Sequence, residues 1–168
     1  MADHLEFEQW VPFPLGKVFE FFSNPENLPR IMPKASSTRL VALNLVPPSG
    51  GSNGKTAGVG STIVTSFRAV PLLPFRAQWI ARITEFEWNH HFADVQDKGP
   101  FKRWHHRHEL QSEVRQDISG TLVRDVVDYE VGFGWLGSFA NAVFVRRQMQ
   151  GVFAERQQKL PNLLAEGR

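Results

Sequence analysis

The sequence of 168 residues contains no cysteine, carries a net charge of only +2 and has no long uninterrupted apolar run. The absence of cysteine excludes disulfides and thiol chemistry, and it is compatible with a reducing compartment. The 19 basic residues are dispersed, so the chain lacks the concentrated positive patch that is typical of nucleic-acid-binding proteins. We therefore expect no nucleic acid among its partners.

Membrane and targeting signals are also missing. No segment approaches the ~18 consecutive apolar residues that a transmembrane helix requires. The N-terminal residues do not show the basic segment and apolar run of a signal peptide. We therefore expect a cytoplasmic protein without a transmembrane segment.

Aromatic residues, by contrast, are abundant, with 14 Phe and 5 Trp. A chain of this length is expected to form one domain, here 1–168, and to bury roughly 70% of its unfolded surface. The aromatic side chains therefore fill a core or line a cavity.

Alternation of apolar and polar residues predicts seven β-strands, at 4–11, 37–46, 61–69, 75–88, 90–96, 103–114 and 120–131. Two short helices are predicted after the first strand, at Leu15–Ser23 and Pro25–Arg30, with Asn24 capping the second. The six later strands follow one another through short connections, which favours antiparallel pairing. The 47–60 segment, rich in Pro, Gly and Ser, is interpreted as a mobile loop without a packed core, and as an insertion rather than a lid.

The last third of the chain, Trp135–Leu164, is predicted to be one long helix. Its apolar residues recur at helical period, namely Ala142, Val145, Met149, Val152, Phe153, Leu160 and Leu163. Arg156 lies on this face, either with its stem packed and its head reaching water or a carboxylate, or as a cation beside a ligand's acidic group. Pro161 is expected to stop or kink the helix.

Two segments resemble a known superfamily. Residues 18–28, VFEFFSNPENL, resemble the first-helix signature of the START-like, Bet v 1-like proteins, often called SRPBCC. The segment Phe92–Leu110 resembles a bacterial branch of that superfamily through Asp94, Gln96, Gly99, Pro100, Phe101, Trp104, His106 and His108. In that branch a Thr-x-x-x-Asp-x-x-x-Tyr strand and a Val-Arg-Arg-Gln helix follow, here Thr121, Asp125 and Tyr129, then 145–148.

This resemblance implies an α+β helix-grip fold, in which a curved antiparallel sheet of six to seven strands wraps around a long C-terminal helix. Members of the superfamily bind lipids, sterols, polyketides or quinones between sheet and helix, and some are cyclases or dehydratases. For this branch the resemblance implies no particular reaction.

A polar group is predicted on the inner face of the sixth and seventh strands. Period-two alternation places Trp104, His106, His108 and Leu110 on one face of strand six. If Leu110 pairs with Val123, the apolar residues meet, and His108 pairs with Asp125, His106 with Val127 and Trp104 with Tyr129.

The two imidazoles and the carboxylate allow several interpretations. Asp125 could fix the tautomer of His108 in a purely structural network. The group could instead orient a mostly apolar ligand, or His108, with Asp125 orienting it and His106 nearby, could act as a general base. A metal site lacks an assigned third ligand, although His90, His91 and His105 offer nitrogen, so we expect neither a metal nor a cofactor.

These observations predict a protein that binds a small hydrophobic ligand, such as a lipid, polyketide, isoprenoid or quinone-like molecule. The alternatives are a polyketide cyclase or dehydratase using the His–Asp pair, which we favour less, and a protein-interaction module with a filled core. The oligomeric state stays open, a dimer included. The predicted lining residues are Phe19, Phe22, Trp104, His106, His108, Asp125, Tyr129, Phe139, Val143 and Met149.

Overall fold

The alternating segments form one seven-stranded antiparallel sheet with the order β1-β7-β6-β5-β4-β3-β2. The structure, a computed structural model, describes residues 2–51, 54–68, 75–132 and 144–166. The strands are β1 (Asp3–Val11), β2 (Arg39–Asn44), β3 (Thr62–Phe67), β4 (Ala77–Glu87), β5 (His91–Lys98), β6 (Arg103–Arg115) and β7 (Ile118–Glu130). Register shifts between β4 and β5 bend the sheet.

Short helices follow β1, as predicted. Helix α1 spans Leu15–Ser23, and a 3-10 turn at Pro25–Asn27 leads directly into α2, Leu28–Ile31. The Asn24 side chain caps the turn, because its Oδ1 accepts a hydrogen bond of 3.0 Å from the Glu26 amide. The predicted second helix is therefore divided into a 3-10 turn and one α-helical turn. A further 3-10 turn spans Lys34–Ser36.

The long C-terminal helix, α3, is described from Arg146 to Glu166; residues 133–143, where its first turns were predicted, lie outside the described residues. Phe153, Leu160 and Leu164 are buried on its inner side. The Phe153 ring stacks on Phe7 of β1 at a centroid distance of 4.2 Å. This order of elements confirms the α+β helix-grip fold.

Helix α3 continues past Pro161 to Glu166. The prediction that this proline stops the helix is therefore wrong. A proline leaves the carbonyl four residues earlier without its helical donor, and here that carbonyl belongs to Gln157. The Gln9 side chain supplies the missing donor, since its Nε2 lies 2.7 Å from the Gln157 oxygen. The Gln157 side chain in turn donates to the Glu8 carbonyl at 3.0 Å. The helix thus continues because β1 satisfies the exposed backbone group.

The connection between β2 and β3 is packed in its described part, contrary to the prediction of a loop without a core. Ala57 and Thr56 are buried. The Ala57 amide donates to the Ser23 carbonyl at 3.0 Å, and the Gly58 amide donates to the Val46 carbonyl at 2.9 Å. These small residues escaped prediction because they bury little apolar surface and instead allow backbone segments to approach closely.

A substitution at Gly58 tests this packing. A Cβ built there lies 2.6 Å from the Pro48 nitrogen and 2.8 Å from the Val46 oxygen, both backbone atoms that cannot move aside. We expect Gly58→Ala to lower the free energy of unfolding by about 1–3 kcal/mol, the usual range for overpacking. Chemical denaturation measures the change.

Gly151→Ala is the matched control, because its Cβ meets nothing within 4 Å. It lies inside α3, so alanine should leave the stability unchanged or raise it by up to ~1 kcal/mol. Equal stabilities for the two variants would contradict a packed 54–60 segment.

Candidate functional site

The pairing of β6 with β7 places the polar residues as the sequence predicted. Leu110 pairs with Val123, His108 with Asp125, His106 with Val127 and Trp104 with Tyr129. The side chains of His106, His108 and Asp125 lie on the inner face, where their residues are only 5%, 6% and 6% exposed. The predicted group therefore exists as a buried cluster.

Asp125 contacts both imidazoles through one oxygen. Its Oδ1 lies 3.0 Å from Nε2 of His106, in a buried hydrogen bond. The same oxygen lies 2.6 Å from Nδ1 of His108, but the approach is too oblique for a hydrogen bond, and this nitrogen has no hydrogen-bond partner among the described residues. The sequence predicted only His108 as the partner, because it is directly opposite; His106 is the diagonal neighbour, still within reach of a long side chain.

Asp94 on β5 completes the cluster. It pairs with His106 across β5 and β6, and its Oδ2 lies 3.5 Å from Nδ1 of His106. The Trp104 indole donates to the other Asp94 oxygen at 3.3 Å. Asp94 was noticed only within the family-like segment and not as a site residue. The signal that would have found it is the register between β5 and β6, which the alternation left undetermined.

Aromatic rings surround the two imidazoles. The His108 ring stacks on Phe92 at 4.4 Å and lies 5.5 Å from Phe22. The His106 ring meets Phe153 of α3 at 5.6 Å and the His108 ring at 4.0 Å. The polar cluster therefore lies in an apolar setting between the sheet and the two helices α1 and α3.

Arg156 of α3 is buried beside this cluster, being 8% exposed. Its guanidinium lies 4.7 Å over the Phe153 ring, and its Nε has no hydrogen-bond partner among the described residues. The stem packs as predicted, and of the two predicted environments for the head it is the carboxylates, not water, that apply: the head stays in the interior, where its charge acts to lower the pKa of Asp94 and Asp125. A buried cation with an unused donor could bind an acidic or carbonyl oxygen.

Burial and charge set the ionisation of the cluster. Burial, and then the neighbouring His108, lowers the pKa of His106, against the opposing effect of the carboxylates. Burial also raises the pKa of Asp94. Burial acts to raise the pKa of Asp125 too, but the close contact with His108, the hydrogen bond from His106 and the charge of Arg156 outweigh it and hold this pKa well below its usual range. Asp125 is thus an anion beside a neutral His106.

The predicted apolar lining residues occupy different positions relative to the cluster. Phe22 contacts His108, and Trp104 and Tyr129 lie on β6 and β7. Met149 is partly buried against a group of apolar side chains that includes Tyr129 and Phe153. Phe19 is fully buried and packs on Phe92, one layer behind His108. Phe139 and Val143 lie outside the described residues. Whether these side chains line a cavity stays a prediction.

The outer face of the sheet carries ion pairs in place of this cluster. Arg107 pairs with Glu85 at 2.7 Å and Arg124 with Glu6 at 2.6 Å. Arg82 pairs with Asp97 on the same surface. All of these side chains are between 31% and 44% exposed, so each pair contributes little to stability.

The sequence matches one protein family over most of its length. Residues 11–157 match the profile described as "Polyketide cyclase / dehydrase and lipid transport". The chain belongs to this family, which confirms the resemblance to the START-like, Bet v 1-like superfamily. No curated protein sequence matches it significantly.

Solved structures share the fold at low sequence identity. The protein TTHA0849 from Thermus thermophilus is 16% identical, with a TM-score of 0.66 over 98% of this chain and 99% of that one. A norcoclaurine synthase point mutant from Thalictrum flavum, in complex with a transition-state analogue, is 12% identical, with a TM-score of 0.66 over 99% and 96%. Ara h 8.0201 is 15% identical, with a TM-score of 0.58 over 94% and 97%. Across the described residues, no helix has the length and hydrophobicity needed to cross a membrane.

The lowered pKa of His106 predicts a loss of stability in mild acid. In the unfolded chain the histidine pKa is about 6.5. As the pH falls through this value, His106 becomes protonated in the unfolded chain but not in the folded one, so the free energy of unfolding decreases. We expect the free energy of unfolding to decrease as the pH is lowered below about 6.5, with a slope of at most about 1.4 kcal/mol per pH unit. Denaturation at several pH values measures it.

His106→Gln is the comparison, because it keeps a donor for Asp125 and does not titrate. His91 also has a pKa lowered by burial and His4 has one raised by Asp128, but both are retained in the variant. The variant should therefore show a shallower pH dependence. An unchanged slope would contradict a neutral, buried His106.

Proposed function

We propose that the protein binds a small, mostly apolar molecule that carries one polar group, between the inner face of the sheet and the C-terminal helix. The observation that carries this proposal is the His106–His108–Asp125 cluster, which lies in the interior among the rings of Phe22 and Phe92. The ligand classes that fit are lipids, polyketides, isoprenoids and quinone-like molecules.

The energetics of the cluster support a binding role. Burying a carboxylate and two imidazoles costs several kcal/mol unless their polar atoms are paired. Here the pairing is incomplete, since the Arg156 Nε has no hydrogen-bond partner among the described residues. A carbonyl or hydroxyl of a ligand would complete it, while the surrounding rings contribute burial at roughly 25 cal/mol per Å².

The family description, which covers lipid transport as well as cyclase and dehydrase activities, supports the same ligand chemistry. Phe19, Trp104, Tyr129 and Met149, with Phe139 and Val143, are the apolar residues that we propose to face the ligand. Trp104, through its indole, also holds Asp94 in place.

An enzymatic function is the second candidate, and one observation favours it. An imidazole within 2.6 Å of an ionised carboxylate, as His108 is of Asp125, is the arrangement of a general base with its orienting partner. In this reading His108 removes a proton from an activated carbon, and Asp125 holds the imidazole during an aldol-type cyclisation or a dehydration.

The binding proposal predicts a ligand in freshly purified protein. Native mass spectrometry followed by organic extraction should reveal a bound apolar molecule. A variant that fills the interior, Met149→Trp, should weaken rebinding at least about tenfold, equivalent to about 1.4 kcal/mol. Ala154→Trp, on the exposed side of the same helix, should bind as the unmodified protein does.

Two results would contradict this proposal. One is a bare protein that no member of a hydrophobic panel stabilises against heat, which would favour an interaction module with a filled core. The other is equal binding by the two tryptophan variants.

The enzymatic candidate predicts a separation of turnover from affinity. His108→Ala should abolish conversion of the extracted compound while changing its Kd by no more than several-fold. Steady-state assays and equilibrium titrations of the same preparation give the two quantities. A parallel loss of both would assign His108 to binding alone.

A further inference from the structure

The inner-face cluster also contains a set of metal-binding atoms. Asp94, His106 and His108 each offer one such atom, and these three atoms lie within 4.8 Å of one another. Bonds of about 2.0–2.2 Å to a shared ion place neighbouring ligand atoms roughly 3–4 Å apart. Small side-chain rotations would therefore close the set around one ion.

We propose that Asp94, His106 and His108 form a binding site for a divalent transition-metal ion, with zinc as the ion that the donor set fits. Two imidazoles and one carboxylate are the protein ligands of open zinc sites, in which a fourth position remains for water or substrate. The sequence did not identify the site because its third ligand, Asp94, comes from a neighbouring strand.

The strands hold these three ligands in a defined arrangement. Asp94 and His106 are directly paired across β5 and β6, and Oδ2 of Asp94 lies 3.5 Å from Nδ1 of His106. His108 follows on the same face, with its ring centroid 4.0 Å from that of His106. Ligands on paired strands are more precisely positioned than ligands on loops.

Asp125 acts as the positioning residue for both imidazoles. It faces Nε2 of His106 and Nδ1 of His108, so the opposite nitrogen of each ring is the one turned away from Asp125. Histidines that ligate a metal usually donate their other N–H to a carboxylate, which fixes the tautomer and raises ligand basicity. One carboxylate faces both rings here: it is hydrogen-bonded to His106 and lies 2.6 Å from Nδ1 of His108.

The charge of the cluster also suits a cation. Asp94 and Asp125 contribute two negative charges when ionised, and Arg156 contributes one positive charge.

The metal site stands on this geometry alone. Only its use, to hold an oxygen atom of the organic ligand at the open position, rests on the proposed function. The two ideas can therefore fail separately.

A second set of potential ligands provides an internal control. Glu87, His90 and His91, at the turn between β4 and β5, also bring three ligand atoms within 4.8 Å, but Glu87 and His90 are exposed. His90→Ala/His91→Ala removes this surface set without touching the buried one.

The experiment uses chelator-treated, delipidated protein. Calorimetric titration with zinc should show one tight site per chain in the unmodified protein and in His90→Ala/His91→Ala. Asp125→Asn should bind about 10- to 100-fold more weakly, and Asp94→Asn more weakly still. Cobalt(II) bound at the same site should give a visible absorption spectrum typical of an ion with few ligands. This spectrum should change in Asp125→Asn.

Circular dichroism of each metal-free variant first establishes that it is folded. If Asp94→Asn is not folded, NMR of the histidine side chains in the unmodified protein tests the site instead, because zinc should shift the signals of His106 and His108. The proposal would be overturned if the unmodified protein bound no stoichiometric zinc, or if His90→Ala/His91→Ala abolished zinc binding. NMR shifts confined to His90 and His91 would also overturn it. Ligand extraction from a second preparation, treated with chelator but not delipidated, separates this failure from that of the proposed function.

Discussion

One shared carboxylate organises the interior of this protein. Oδ1 of Asp125 lies 3.0 Å from His106 and 2.6 Å from His108, with all three residues nearly inaccessible to water. A carboxylate buried without partners would cost several kcal/mol, and its two imidazole neighbours offset much of that cost. The pairing also specifies the sheet, since a slip of one residue between β6 and β7 would turn the polar side chains to the other face.

The two faces of the sheet use charge in different ways. Outside, pairs such as Arg124–Glu6 are half-exposed and screened by water. Inside, the same kinds of groups lie among aromatic rings, where electrostatic interactions are stronger and unpaired groups are costly. Helix α3 closes this inner face with Phe153 and Arg156, and β1 secures the helix through Gln9.

Much of the fold could be predicted because its signals are local and periodic. The alternation along β6 and β7, combined with matching Leu110 to Val123, gave the correct register. The long-range details could not be predicted in this way. Continuation of α3 past Pro161 depends on a side chain 148 residues earlier than the carbonyl that it satisfies, and burial of Ala57 depends on a backbone contact to Ser23. The predicted site was also incomplete, because it lacked Asp94. Alternation shows which face of a strand a residue occupies, but it does not show which residue of the neighbouring strand lies opposite, and it therefore could not place Asp94 beside His106.

The chain belongs to the family described as polyketide cyclase, dehydrase and lipid transport, and the inner cluster is the part that we propose to recognise the polar group of the ligand. Binding, proton transfer and metal ligation all require the same arrangement of charges and protons in the cluster. Asp125 must be ionised and both imidazoles must direct an N–H towards it, leaving their other nitrogens for a partner.

The most direct test of this account is nitrogen-15 NMR of the histidine side chains in the metal-free protein near neutral pH. We predict that His106 is neutral and carries its proton on Nε2, while His108 carries a proton on Nδ1, each facing Asp125. A charged His106, or a His106 proton on Nδ1, would contradict the shared-carboxylate arrangement on which the account depends.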